Sequence, residues 1–159
     1  MSAPPGRTSG TAFPSEGTAS GRKGVPIGST TFAFPVRVYY EDTDFSGNVY
    51  HAAYLHFFER GRTEFLRDLG VHHSELIHEG IAFAVRKMGI DFIAAAHIDD
   101  ELEVTTEVAS ATAARLNLVQ SISRAGVELV RAEVQVVTIK VTGGAARMPK
   151  ALLGLIVKG

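Results

Sequence analysis

The sequence predicts an α+β fold in which a curved antiparallel β-sheet wraps around one long central helix. Large apolar residues recur at every second position from Phe34 to Tyr40, which is the period of a half-buried strand. A helical period then runs from about Tyr50 to Leu69, and four strand-like segments follow it. A single long helix needs an apolar surface to cover, and the later strands supply one.

The first thirty residues differ in composition from the rest of the chain. Nineteen of them are Gly, Pro, Ser or Thr, so the segment cannot bury enough surface to offset the entropy of ordering it. We expect a disordered N-terminal extension at residues 1–30 and one folded domain at residues 31–159. The whole chain is 45% hydrophobic, which is enough for a packed core.

Charge and composition exclude several classes of function. The net charge of -1 gives no sign of a nucleic-acid binder or a membrane-surface binder. Without cysteine, the chain has no disulfides, thiolate catalysis or cysteine-ligated metals. No apolar run is long enough to span a bilayer, and no secretory signal precedes the domain, so we expect a cytoplasmic protein.

The predicted long helix has one broad apolar face and a recognisable end. Glu64 and Arg67 can pair on the opposite side, and Gly70 follows where helices often end in a left-handed residue. The stretch HHSELIHEG predicts a short helical turn closed by Gly80. The apolar face comprises Tyr50, Tyr54, Phe57, Phe58, Gly61, Phe65 and Leu69.

The remaining strands are predicted from alternation. Residues 81–93 form a long strand with a change of phase near Arg86, and residues 102–108 and 116–123 alternate cleanly. Arg124 to Gly126 predicts a hairpin turn. The last strand is predicted at residues 129–141. Its inward-facing apolar residues change phase at Val137, which suggests a bulge or bend.

Two aspartates, Asp42 and Asp44, lie between the first strand and the long helix. The start of a helix presents unpaired N–H groups and a partial positive charge, which stabilise an oxygen that becomes negative. A carboxylate beside it could attack a carbonyl carbon or activate water, which suits acyl transfer. From spacing alone, however, aspartates in this position are more often turn formers or caps.

The neighbouring residues also have a structural and a functional interpretation. Asn48 is another candidate cap, and Gly47 meets a backbone need such as a positive φ. His51, in the first helical turn, either packs against the loop or contacts a substrate carbonyl. Glu59 and Arg62 are expected to form a surface or rim pair, with Glu59 facing a cleft as the alternative.

No metal site is expected from the histidines. His73 and His78 are five residues apart, and no histidine pair flanks a glutamate as in metalloproteases. Phosphate-binding loops, the G-x-S-x-G elbow and the G-x-G-x-x-G fingerprint are also missing from the sequence.

The stretch VRVYYEDTDFSGNVYHAAYLHFFERGRTEFLRDLG closely resembles the start of the hotdog-fold acyl-CoA thioesterases of the 4-hydroxybenzoyl-CoA thioesterase type. It is most similar to the subfamily associated with the bacterial Tol-Pal envelope system. The stretch AVRKMGIDFIAAAHIDDELEVTTEV matches the second and third strands of that family. The resemblance spans roughly residues 34–141.

The resemblance implies an acyl-CoA thioesterase that releases a free carboxylic acid and coenzyme A. It makes Asp44 the catalytic carboxylate, acting as nucleophile or general base, and assigns the carbonyl-polarising backbone N–H to His51. Tyr40, Asp42 and Tyr54 then shape the loop. It also implies a homodimer or homotetramer with active sites at subunit interfaces, no metal, and no cofactor beyond the coenzyme A of the substrate.

Two other functions compete with hydrolysis. A binding module could hold acyl-CoA or acyl carrier protein without turnover, although an intact Asp44 weighs against it. A hydratase or dehydratase of the same fold pairs an aspartate with a histidine, usually with four residues between them. Asp44 and His51 have six residues between them, so this match is poor.

Overall fold

The computed structural model describes residues 25–26 and 31–158 of the chain. The strands are β1 (Val25–Pro26), β2 (Thr31–Arg37), β3 (Ile81–Phe92), β4 (Glu101–Ala111), β5 (Arg115–Arg124) and β6 (Val127–Lys140). The helices are α1 (His51–Asp68), α2 (His73–His78) and α3 (Lys150–Lys158). The predicted disordered extension lies outside the described residues, apart from Val25–Pro26.

All described strand pairings are antiparallel, and the strands form one sheet in the order β2-β4-β5-β6-β3. The short β1 continues the β2 edge, since Val25 pairs with Ala111 at the far end of β4. Strand β3 forms the opposite edge, because β6 is the only described strand that pairs with it. The predicted α+β architecture is therefore confirmed.

Helix α1 packs against one face of this sheet. Its buried residues follow the predicted apolar face closely: Ala53, Tyr54, Phe57, Phe58, Gly61, Phe65 and Leu66. At Gly61 the helix approaches the sheet so closely that an added Cβ would lie 2.7 Å from the Val104 side chain. The helix ends as predicted, because Gly70 has a φ of +87° and the Val71 N–H donates to the Leu66 carbonyl at 2.8 Å.

Other local predictions are also confirmed. Strand β3 has its irregularity between Val85 and Lys87, where a phase change is expected. The β5–β6 hairpin turns at Ala125 and Gly126, which both have positive φ. Glu64 and Arg67 form the expected ion pair.

Two predictions about the elements are wrong, and one helix is missed. Strand β2 ends at Arg37, and Tyr40 lies exposed in a 3-10 turn because the chain already bends there toward α1. Strand β6 keeps its phase through Val136 to Thr138, and its irregularity lies instead where it passes Ile122 of β5. The sequence analysis does not predict helix α3. Its apolar side chains Leu152 and Ile156 are buried.

Candidate active site

The loop between β2 and α1 folds back on itself as a small hairpin. Thr43 and Val49 form an isolated antiparallel bridge, and the Asp44 N–H donates to the Asn48 carbonyl at 2.9 Å. The Gly47 N–H closes the turn on the Asp44 carbonyl at 3.1 Å, with Gly47 at a φ of +84°. This conformation explains the glycine, since other residues rarely adopt a positive φ.

The Asp44 carboxylate is exposed, and Ser46 donates two hydrogen bonds to it. Oδ1 accepts hydrogen bonds from the Ser46 hydroxyl at 2.5 Å and from the Ser46 N–H at 2.8 Å. The hydroxyl first, and then the N–H, lower the pKa of Asp44 below its ordinary value. The carboxylate is therefore ionised at neutral pH, as attack on a carbonyl or activation of water requires.

The amino end of α1 follows directly from this hairpin. Tyr50 is the N-cap residue, and no side chain caps the helix. The Ala53 N–H donates to the Tyr50 carbonyl at 2.9 Å, whereas the N–H groups of His51 and Ala52 have no partner among the described residues. The Tyr50 N–H donates to the Asp42 carbonyl at 3.1 Å, which ties the helix start to the aspartate loop. His51 is exposed, and its ring packs edge-on against Phe92 at 4.9 Å between centroids.

A second loop, residues 93–100, supports the hairpin from behind. The Val49 N–H donates to the Ala96 carbonyl at 2.9 Å, and the Ile98 N–H donates to the Gly47 carbonyl at 3.0 Å. The Ala96 N–H donates to the buried hydroxyl of Tyr54 at 3.0 Å, and burial raises the pKa of that hydroxyl. Tyr54 thus connects α1 to the backbone that shapes the loop.

Two polar residues, Asp42 and Asn48, stabilise the backbone of the hairpin and of the turn before it. The Asp42 carboxylate accepts the Tyr39 N–H at 2.8 Å and so stabilises the turn that precedes the loop. Asn48, a candidate cap in the sequence, does not cap the helix, because the N-cap residue of α1 is Tyr50, two positions later. The Asn48 backbone instead pairs with Asp44 and forms a bridge with His97.

The prediction that Glu59 and Arg62 form a surface or rim pair is wrong. Arg62 is half-buried, and its Nη1 donates to the Gln120 side chain at 3.0 Å. Burial lowers the pKa of the Arg62 guanidinium, and the exposed Glu59 only partly opposes this. Among the described residues, Glu59 and Arg62 form no ion pair within 4.0 Å.

Gln120 is the polar residue that sequence reasoning missed. It is fully buried, and its Nε2 donates to the Phe58 carbonyl at 3.1 Å and to the Thr106 hydroxyl at 2.9 Å. Its three hydrogen bonds join α1, β4 and β5, as a buried amide requires. The available signal was its phase, since it alternates inward with Leu118 and Ile122.

The histidines near α2 do not assemble a metal site. Within residues 25–26 and 31–158, no group of three or more His, Cys, Asp or Glu side chains could hold a metal ion. His78 is exposed at the end of α2, whereas His73 is half-buried. The described helices also include none that is long and apolar enough to cross a membrane.

Comparison with known proteins gives consistent matches. Residues 38–156 match the family described as the thioesterase-like superfamily. The chain is 49% identical over 109 residues to the acyl-CoA thioesterase YbgC of Haemophilus influenzae, covering 68% of this chain and 80% of that protein. It is 46% identical over 114 residues to the acyl-CoA thioester hydrolase YbgC of Escherichia coli O6:H1, covering 71% and 85%.

Solved structures give the same result. A probable thioesterase from Bartonella henselae is 42% identical with a TM-score of 0.72, covering 76% of this chain and all of that one. A 1,4-dihydroxy-2-naphthoyl-CoA thioesterase from Synechocystis is 29% identical with a TM-score of 0.73, covering 80% and 96%.

Proposed function

Since the chain belongs to the thioesterase-like superfamily, has the hotdog fold and is an acyl-CoA thioesterase, we propose that Asp44 and the first turn of α1 form its active site. The observation that carries this proposal is the hairpin. Its bridge between Thr43 and Val49 brings the segment that carries Asp44 back toward the residues that precede α1, and the start of that helix has no side-chain cap. The lowered pKa of Asp44 keeps its carboxylate ionised at neutral pH.

In the proposed reaction, the thioester carbonyl oxygen faces the N–H groups at His51, and Asp44 faces the carbonyl carbon. The helix N–H groups stabilise the negative charge that develops on the oxygen. Asp44 attacks the carbon directly, or it takes a proton from the water that attacks. When the C–S bond breaks, the coenzyme A sulfur leaves as a thiolate. Attack by water gives the free acid directly, whereas attack by Asp44 leaves an acyl anhydride on its carboxylate, which a water molecule then hydrolyses to the free acid.

The leaving group explains why a site without a general acid can suffice for thioester hydrolysis. Thiols ionise near a pKa of about 8.5, so the sulfur can leave without a general acid to protonate it. The proposed site contains no metal and no prosthetic group, and coenzyme A enters as part of the substrate.

The test is Asp44→Asn, which removes the charge and keeps the side-chain shape. We expect kcat/KM for acyl-CoA thioesters to fall by about 10³-fold or more, because both proposed roles need an ionised oxygen. Release of free thiol gives the rate. Asp68→Asn is the matched control, since it removes an exposed carboxylate at the other end of α1.

If Asp44→Asn and the wild type hydrolyse a panel of acyl-CoA substrates equally, Asp44 is not catalytic. Equal rates together with unchanged acyl-CoA or acyl carrier protein binding would favour the binding module instead.

We further propose that two copies pair along β3. This edge strand is open on one side, and it exposes the apolar side chains of Val85 and Phe92. Phe45, next to Asp44, is fully exposed among the described residues. Pairing across β3 would cover this region, so the active site would be completed by the second copy.

The finer assignments rest on sequence similarity. The long aspartate motif supports the 4-hydroxybenzoyl-CoA thioesterase type and the Tol-Pal-associated subfamily. A tetramer, a cytoplasmic location and an interaction with acyl carrier protein stay predictions.

A further inference from the structure

The proposed catalytic hairpin is joined to a neighbouring turn that begins at His97. The Ile98 N–H donates to the Gly47 carbonyl at 3.0 Å. His97 forms an antiparallel bridge with Asn48, whose carbonyl accepts the Asp44 N–H. The shape of this turn therefore fixes the stretch of backbone that pairs with Asp44.

The Asp100 side chain holds the turn closed. The Asp100 N–H donates to the His97 carbonyl at 3.1 Å, and Oδ2 of Asp100 accepts the His97 N–H at 2.9 Å. Asp99 lies inside the turn with a φ of +70°, which is uncommon for residues other than glycine. A conformation of this kind costs free energy and persists only where neighbouring contacts hold it. The two hydrogen bonds between Asp100 and His97 are such contacts.

Arg124, the last residue of β5, fixes the Asp100 carboxylate from the sheet. Its Nη1 donates to Asp100 Oδ2 at 2.6 Å and to the Ala95 carbonyl at 3.4 Å. Burial of Asp100 alone would raise the pKa of its carboxyl, but the His97 N–H and then Arg124 outweigh burial and lower that pKa. The carboxylate is therefore ionised at neutral pH, and its charge strengthens both hydrogen bonds that it accepts.

Two further contacts connect this part of the loop to the core. Val38 is fully buried, and it exchanges backbone hydrogen bonds with Asp99 and Asp100 at 3.0 and 2.9 Å. On the helix side, the Tyr54 hydroxyl accepts the Ala96 N–H at 3.0 Å. These contacts do not involve the Asp100 carboxylate, so its removal should loosen the turn and leave the core packed.

We propose that Asp100, held in place by Arg124, is a positioning residue for thioester hydrolysis. It acts through the backbone, because the closed turn sets the position of the hairpin and the hairpin sets the position of the Asp44 carboxylate. The inference rests on the proposed function of Asp44. Ser46 lies within the hairpin and lowers the pKa of Asp44, so the turn controls where that carboxylate lies and not whether it is ionised.

The first test is Asp100→Ala, which removes both hydrogen bonds that the carboxylate accepts. We expect kcat for acyl-CoA thioesters to fall by about 10- to 100-fold, since a displacement of about 1 Å in a catalytic group can cost about 10²-fold. KM should change by less than about threefold, because Asp44 acts on the thioester that is already bound. An unchanged kcat would overturn the inference.

Arg124 gives a second route to the same result. Arg124→Gln removes the charge that pairs with Asp100 and should lower kcat toward the value of Asp100→Ala, whereas Arg124→Lys should restore part of the loss. Glu101→Ala is the matched control, because Glu101 is the next carboxylate in the chain and pairs with Arg37 at 2.7 Å, with its side chain 77% exposed. It should keep the wild-type kcat, and an equal loss there would overturn the inference.

A double-mutant cycle with Asp44→Asn tests whether Asp100 acts through Asp44. If it does, adding Asp100→Ala should change the residual rate of Asp44→Asn by less than about threefold. Losses that multiply in the double variant would place the effect elsewhere and overturn the inference. If Asp44→Asn alone is fully active, the proposed function fails. If Asp44→Asn is inactive while Asp100→Ala keeps its kcat, only the positioning role fails.

Amide hydrogen exchange of the full chain gives a readout that does not depend on activity. Peptides that cover residues 43–49 should exchange faster in Asp100→Ala than in the wild type or Glu101→Ala, because the hairpin opens more often. Exchange that stays at the wild-type rate would contradict the role of the turn. Should Asp100→Ala fail to fold, Arg124→Gln provides the same comparison of exchange and kcat.

Discussion

At the scale of single residues, the lowered pKa of Asp44 depends mainly on Ser46. Both hydrogen bonds to the carboxylate come from this one residue, two positions along the chain. They stabilise the charged form and also hold the side chain in one orientation. The same contact is a common turn motif, which is why spacing alone could not separate a turn former from a catalytic group.

Replacing Ser46 by alanine should therefore change the pH dependence of the enzyme. Loss of the hydroxyl removes the largest cause of the lowered pKa, so the acid limb of kcat/KM should move to higher pH. At pH 7 the carboxyl is ionised in both proteins, so activity should change by less than about twofold. Thioester hydrolysis measured from acidic to neutral pH gives the profile.

Thr43→Val is the matched control, because the Thr43 hydroxyl lies in the same loop but donates to the Tyr40 carbonyl. An acid limb that moves equally in both variants, or in neither, would show that Ser46 does not set the pKa.

At the scale of elements, the contact between α1 and the sheet explains both a glycine and a buried amide. Gly61 lets the helix approach Val104, and Gln120 then satisfies the polar groups trapped at that contact. The Gln120 side-chain oxygen also accepts a hydrogen bond from the half-buried Arg62 guanidinium. The position of α1, and with it the direction of its amino end, thus depends on a close backbone approach.

Gly61→Ala should destabilise the protein by about 1–3 kcal/mol, because the added methyl would lie 2.7 Å from a Val104 methyl group and the core must shift. Gly154→Ala in α3 is the matched control, since nothing lies within 4 Å of the added atom. Alanine favours helix over glycine, so this variant should gain about 0.5–1 kcal/mol. Urea unfolding measures both, and a neutral Gly61→Ala would contradict the tight contact.

At the scale of the whole molecule, one chain leaves the proposed active-site region open. The described edge of β3 and the aromatic side chains around Asp44 face solvent. Tyr39, Tyr40 and Tyr50 are exposed on the same loop. A second copy that continues the sheet through β3 would cover part of this surface and remove an unpaired edge.

The expected mass in solution is therefore at least about 34 kDa, twice the 17.0 kDa of one chain. Val85→Glu places a charge on the open edge in both copies and should shift the protein toward monomer, with loss of activity. Light scattering after size-exclusion chromatography measures the mass. Val127→Glu, at an exposed position beside the β5–β6 turn, should leave it unchanged, and a monomeric wild type would contradict the pairing.

Local patterns determined most of the fold. The helical period set α1 to within a residue or two, and glycines at positions 70, 80 and 126 marked the ends and turns where φ is positive. The aspartate motif pointed to the thioesterase family. Helix α3 was missed because a short apolar run cannot be assigned to strand or helix by period alone.

The sequence by itself thus determined the order of the elements and the loop proposed to carry the catalytic carboxylate, because both depend on residues close together in the chain. Tertiary structure alone decided that Arg62 turns inward to Gln120, 58 residues away, and that His73 shares a cavity with strands β3, β5 and β6. Such contacts join distant segments through packing and burial, which no local period records.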